Sequence, residues 1–154
     1  MLDRKASNQK LTSYKGDIPI TSLYTVGIAG EKFFGSLKEK GEFLGTRCNK
    51  CEITYVPARY FCERCFGELR EYIKVADKGE IVSFTVVYKD LDDKQLAEPK
   101  VVGAIKLDGA DTVLIHFINA NPAKVGIGKK VKVVLEPKAK RKGAITDIKY
   151  FELA

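Results

Sequence analysis

The chain has 154 residues, of which 45% are hydrophobic and 31% charged, a balance that excludes a low-complexity polymer and allows one folded domain or two small ones. No apolar run nears the ~18 residues that a bilayer-spanning helix needs, and Met1-Leu2-Asp3-Arg4-Lys5 carries no apolar signal core, so a soluble, cytoplasmic chain with no membrane partner is expected. The net charge of +7 is localised: eight bases between Lys124 and Lys142 accompany one acid, Glu136, while the rest of the chain balances 19 bases against 19 acids.

In chain order, residues 1–44 read as a polar tail followed by helices. Thr21 or Ser22 is placed to cap a short helix reaching Thr25 or Val26. A second helix is expected after Gly30, with Phe33, Phe34 and Leu37 on one face and Gly41 as its stop. That aromatic face is expected to pack on the rest of the chain; the functional alternative is a partner or a ligand beneath it.

Residues 45–74 hold all four cysteines, as Cys48-x-x-Cys51 and, ten residues later, Cys62-x-x-Cys65. A two-residue spacer lets both thiolates of a tight turn point at one ion, and a second such turn completes a tetrahedron. A rubredoxin-like zinc ribbon is therefore expected, with structural zinc. Iron uses the same four thiolates and stays open. Two disulfides would need an oxidising compartment, and a redox pair would leave two cysteines over. Short strands are expected around Ile53-Thr54-Tyr55-Val56, ended by Pro57, and around Leu69 to Ile73.

In residues 75–154 the hydrophobic period becomes two. Five extended runs follow: Glu80 to Tyr88, Val101 to Leu107, Thr112 to Phe117, Lys130 to Glu136 and Ile145 to Phe151. Val82, Phe84, Val86 and Tyr88 are expected to share a face. Asp108-Gly109 marks a hairpin, and 121–125 offers a helical turn before the fourth strand. The sum is a mainly β chain with N-terminal helices, its zinc ribbon followed by a five-stranded OB-fold barrel, partly open.

The order of these pieces resembles the zinc-ribbon/OB-fold family known as domain of unknown function thirty-five. The resemblance is carried by Phe33-Phe34 and Leu37, by Arg47-Cys48-x-x-Cys51 with Pro57-x-Arg59-x-x-Cys62-x-x-Cys65, by Gly79 to Val87, by Pro99 to Gly109, and by Gly126-Ile127-Gly128-x-x-Val131. Glu52, Ala58 and Glu63 depart from the usual glycine, proline and proline. The resemblance implies a non-catalytic subunit that binds acyl-CoA and scaffolds a thiolase or thiolase-like enzyme, in some members bridging it to hydroxymethylglutaryl-CoA synthase. On that reading Lys129, Lys130 and Lys132 are candidates for the CoA phosphates. Tyr55, Tyr60 and Phe61 would flank the uncharged arm, and Arg59 would orient it.

No catalytic set is legible. His116, the sole histidine, sits in an apolar strand and reads as a satisfied strand residue with no nucleophile or orienting acid beside it. Gly126-Ile127-Gly128-Lys129-Lys130 lacks P-loop spacing. The rival function is binding of single-stranded nucleic acid, suggested by ribbon, barrel and basic stretch together. Its stacking platform would lie on the second and third barrel strands, where only Phe117 is aromatic. The basic stretch has a plainer alternative, lysines guarding an exposed sheet edge.

Overall fold

The computed structural model describes residues 24–154. The expected caps Thr21 and Ser22 lie outside the described residues, and 24–26 are not helical. Helix α1 (Gly27–Lys40) begins three residues earlier than Gly30, which lies inside its first turn where a side chain would press on Val26. Phe33 and Leu37 are buried and Phe34 packs partly against the core, as their spacing demands. Gly41 ends the helix at φ 71°, its N–H donating to the Ser36 and Leu37 carbonyls.

The ribbon is a three-stranded antiparallel sheet in the order β2-β1-β3, from β1 (Phe43–Cys48), β2 (Ile53–Tyr55) and β3 (Glu71–Val75). Its central strand β1 was not legible as a strand, because Gly45 interrupts it. That glycine is needed there: a Cβ would lie 2.8 Å from the Tyr55 carbonyl oxygen.

The barrel contains β4 (Lys78–Lys89), β5 (Gln95–Leu107), β6 (Val113–Ile118), β7 (Lys130–Leu135) and β8 (Ile148–Leu153), with short 3-10 turns at Pro122–Lys124, Lys138–Lys140 and Ile145–Asp147. It is closed, in the order β4-β5-β6-β8-β7, and so not the partly open barrel expected. Closure is slender at one seam: β6 and β8 run parallel and pair only at Ile118 and Phe151. β7 is hydrogen-bonded on both sides, to β4 and β8, so its lysines guard no free edge. They face outward across from acids, Lys130 opposite Glu80 and Lys132 opposite Glu152.

The expected Val82 face is broken by a bulge between Ile81 and Ser83. Ile81 is fully buried, Val82 is exposed, and Phe84 and Val86 return to the core. β5 begins well before Val101 despite Pro99. The second register shift of β4, between Val87 and Lys89, sets Tyr88 against residues 96–99 and tolerates the missing proline donor there. Gly79 permits the tight β4–β5 start, since a Cβ would lie 2.1 Å from the Lys106 carbonyl oxygen. One continuous core joins α1, the inner face of the ribbon and the barrel through Phe33, Leu37, Phe43, Val56, Ile105 and Phe151. A second, smaller core of Cys48, Tyr55, Cys62 and Leu69 surrounds the thiols.

Candidate metal centre and partner face

The turn after β1 presents Cys48 and Cys51, and the turn before Leu69 presents Cys62 and Cys65. All four Sγ atoms lie within 4.8 Å of one another, with Cys48 and Cys65 Sγ 3.6 Å apart. Four sulfurs around a zinc ion at ~2.3 Å stand about 3.8 Å apart, so the set fits a tetrahedral ion. Glu52 and Phe66, each just past a second cysteine, adopt left-handed φ of 57° and 55°. A glycine at position 52 would adopt that conformation freely.

The Cys51 and Cys62 thiols are pushed in opposite directions. The Tyr55 hydroxyl, followed by the backbone N–H of Cys65, pulls the Cys62 thiol down to about 6. Burial, followed by hydrogen bonding among the neighbouring sulfurs, pushes Cys51 up to about 12. Four sulfurs gathered this closely, two of them buried, suit a shared cation that would hold them as thiolates.

The centre is fastened to the barrel. The Thr54 N–H donates to Asp111 Oδ2 at 2.8 Å, and the Asp111 N–H returns a bond to the Thr54 carbonyl at 2.9 Å. Thr112 Oγ1 accepts from the Val56 N–H at 2.8 Å and donates to the Val56 carbonyl at 3.0 Å. Sequence reasoning saw only a hairpin at 108–109; nothing local announces contacts made 57 residues away.

Of the ligand candidates, Tyr55 is fully buried against Cys62 and does not reach a ligand, contrary to expectation. Tyr60 and Phe61 are exposed and meet edge to face at 4.8 Å, and Phe66 stands 79% exposed nearby. Arg59 pairs with Glu63 at 2.7 Å, and its guanidinium carbon lies 5.1 Å from the Tyr55 ring centroid. Lys130 pairs with Glu80 at 3.2 Å, while Lys129 Nζ donates to the Lys124 carbonyl. No hydrogen bond joins these lysines to Arg59, Tyr60 or Phe61 among the described residues. Arg141 in the basic stretch is structural: its Nε donates to the Glu136 carbonyl at 2.8 Å.

His116 is not the satisfied residue expected. Its Nδ1 is buried without a partner among the described residues. The ring packs edge to face on Phe117 and Phe151, and burial lowers its pKa. It lines an apolar groove of about 510 Å³ between β6 and the 145–149 segment. On the outer side of β6, Val113, Ile115 and Phe117 are 43%, 67% and 49% exposed. Ala104 and Val102 lie opposite Ile115 and Phe117, so the stripe continues onto β5. Among the described residues no helix is long and apolar enough to cross a membrane.

Two family models match, the rubredoxin-like zinc ribbon domain of ChsH2 over residues 36–70 and the C-terminal OB-fold domain of ChsH2 over residues 72–136. A DUF35 domain-containing scaffold protein of Methanocaldococcus jannaschii is 29% identical over 99 residues, 64% of this chain and 70% of that protein. The crystal structure of a DUF35-family protein of unknown function from Sulfolobus solfataricus superposes with a TM-score of 0.64 at 28% identity, covering 82% of this chain and 84% of that one. A chain described as Ltp2-ChsH2(DUF35) aldolase shares the fold, with a TM-score of 0.60 at 17% identity over 85% of this chain and 98% of that one.

Proposed function

Since this chain belongs to the DUF35 family of zinc-ribbon/OB-fold proteins, we propose that it is a non-catalytic cytoplasmic scaffold that docks on a thiolase-type enzyme and completes its acyl-CoA site. The observation that carries this reading is the aliphatic outer face of β5 and β6. A single-strand-binding OB barrel puts stacking rings there. Here Val102, Ala104, Val113 and Ile115 surround the lone Phe117, which suits a protein contact. The relatives' name, scaffold, and the aldolase assembly of the shared fold support an enzyme partner.

In this reading the ribbon (45–74) is a closed structural zinc site and the barrel (75–154) is the docking body. Lys129, Lys130 and Lys132 answer the CoA phosphates, and Arg59, Tyr60 and Phe61 flank the arm. These two groups sit on different modules, so the partner supplies most of the site and the isolated chain binds CoA weakly. A subset of complexes would also engage a hydroxymethylglutaryl-CoA synthase.

The test is partner capture with a thiolase of the same organism. Ile115→Asp with Phe117→Asp is expected to weaken capture at least tenfold while zinc content and circular dichroism stay unchanged. Tight oligonucleotide binding with a steep salt slope, and no response to CoA or a thiolase, would replace this reading with single-stranded nucleic-acid binding.

A further inference from the structure

We propose that the Tyr55 hydroxyl is a dedicated hydrogen-bond donor to the metal-bound Cys62 sulfur, aimed by the barrel, and that it sets how tightly the ribbon holds its ion. The inference rests on ligation by the four cysteines.

Tyr55 is fully buried, and a buried phenol needs a hydrogen-bond partner. Its partner is Cys62 Sγ at 3.2 Å. In the thiol form either atom can donate. A metal-bound Cys62 is a thiolate with no proton, so the direction is then fixed and the phenol donates. Phenylalanine would fill the same volume, so packing does not explain the hydroxyl.

The need for a donor follows from charge. Four thiolates around a divalent ion leave a surplus of two negative charges, and Cys48 and Cys62 hold theirs away from water. A hydrogen bond to the buried sulfur disperses that surplus and makes it a less basic ligand, the usual effect of groups just outside a metal's ligand sphere. The Arg59 cation beside the Tyr55 ring favours the partial negative charge that donation leaves on the phenol.

Aim comes from the joint already described. Tyr55 lies between Thr54 and Val56, whose N–H groups are held by Asp111 and Thr112 of the barrel. The strand therefore does not rotate or slide to take the hydroxyl off the sulfur. Tyr55 is a positioning residue, not a ligand.

The experiment uses the full chain loaded with cobalt(II) or zinc, as wild type and as Tyr55→Phe. Zinc transfer to a chelator is expected to quicken about tenfold or more in the variant, the scale of outer-sphere losses. The sulfur-to-cobalt charge-transfer band is expected to move to lower energy with far-ultraviolet circular dichroism unchanged. A fluorinated tyrosine at position 55, whose hydroxyl is more acidic, is expected to move the band the opposite way, and that arm decides if Tyr55→Phe fails to fold. Identical bands and transfer rates in all forms would overturn the inference alone. A wild-type chain that takes up no metal would overturn the ligation reading and this inference with it.

Discussion

Asp147→Asn tests whether one carboxylate holds the basic loop before β8. Asp147 is buried, only 2% exposed. Its oxygens accept from the backbone N–H of Lys142 at 2.8 Å, Gly143 at 2.7 Å and Ala144 at 3.3 Å. Burial pushes its pKa up, but the three N–H groups and Arg141 outweigh that, and the net displacement is downward. Asparagine keeps one acceptor oxygen and turns an amide NH2 toward the Gly143 and Ala144 donors. Hydrogen bonds to a charged group are worth ~1.5–3 kcal/mol, so losing both bonds to Oδ2, one short and one long, costs about 3 kcal/mol. At ~2–4 °C per kcal/mol for a chain of this size, Tm falls by about 6–12 °C. The sign with pH follows from the depressed folded pKa: the stabilisation is whole above the unfolded value, 3.8, and is lost as pH falls through the lower folded one. Thermal melts are expected to show the full gap at pH ~7 and a shrinking gap below pH ~4. Equal Tm values at neutral pH, or a gap indifferent to acid, would refute the reasoning.

Cys62→Ser is expected to abolish stoichiometric zinc and unfold the ribbon, while the barrel, with its own apolar interior, keeps its β signal in circular dichroism; metal analysis and spectra read both. Gly79→Ala drives a methyl into the Lys106 carbonyl and should cost at least about 2 kcal/mol in denaturant unfolding. Gly35→Ala, on the exposed side of α1 with open space around it, should instead gain up to about 1 kcal/mol in the same assay.

The cysteine spacing made the metal centre legible because ligand geometry is local: two residues of chain fix where both sulfurs point. Alternation exposed the barrel strands for the same reason. What escaped was set at a distance. β1 hides behind Gly45, whose purpose is the approach of the Tyr55 backbone. The bulge at Ile81 shifts the facing of Val82, and periodicity alone does not announce an inserted residue. The lysines of β7 looked like edge guards because closure by β8 depends on a chain return that composition does not encode. Tyr55 read as a ligand-facing aromatic, since neither its burial nor its sulfur partner is visible in neighbouring residues. The unpartnered Nδ1 of His116, among the described residues, is likewise invisible in the neighbouring sequence.

The grip of Asp111 and Thr112 on β2 bears on transplanting the ribbon between proteins. The matched domains part between residues 70 and 72, which invites a cut there. Yet β2 is an edge strand of the ribbon sheet, and its outer rim is covered by barrel residues that follow much later in the chain. A ribbon excised at that cut would carry a bare rim along 54–56, with unpaired N–H and C=O groups free to recruit another copy. A chimera that exchanges ribbons therefore has to exchange the 108–112 turn with them, so the unit inherited as a piece is discontinuous in sequence.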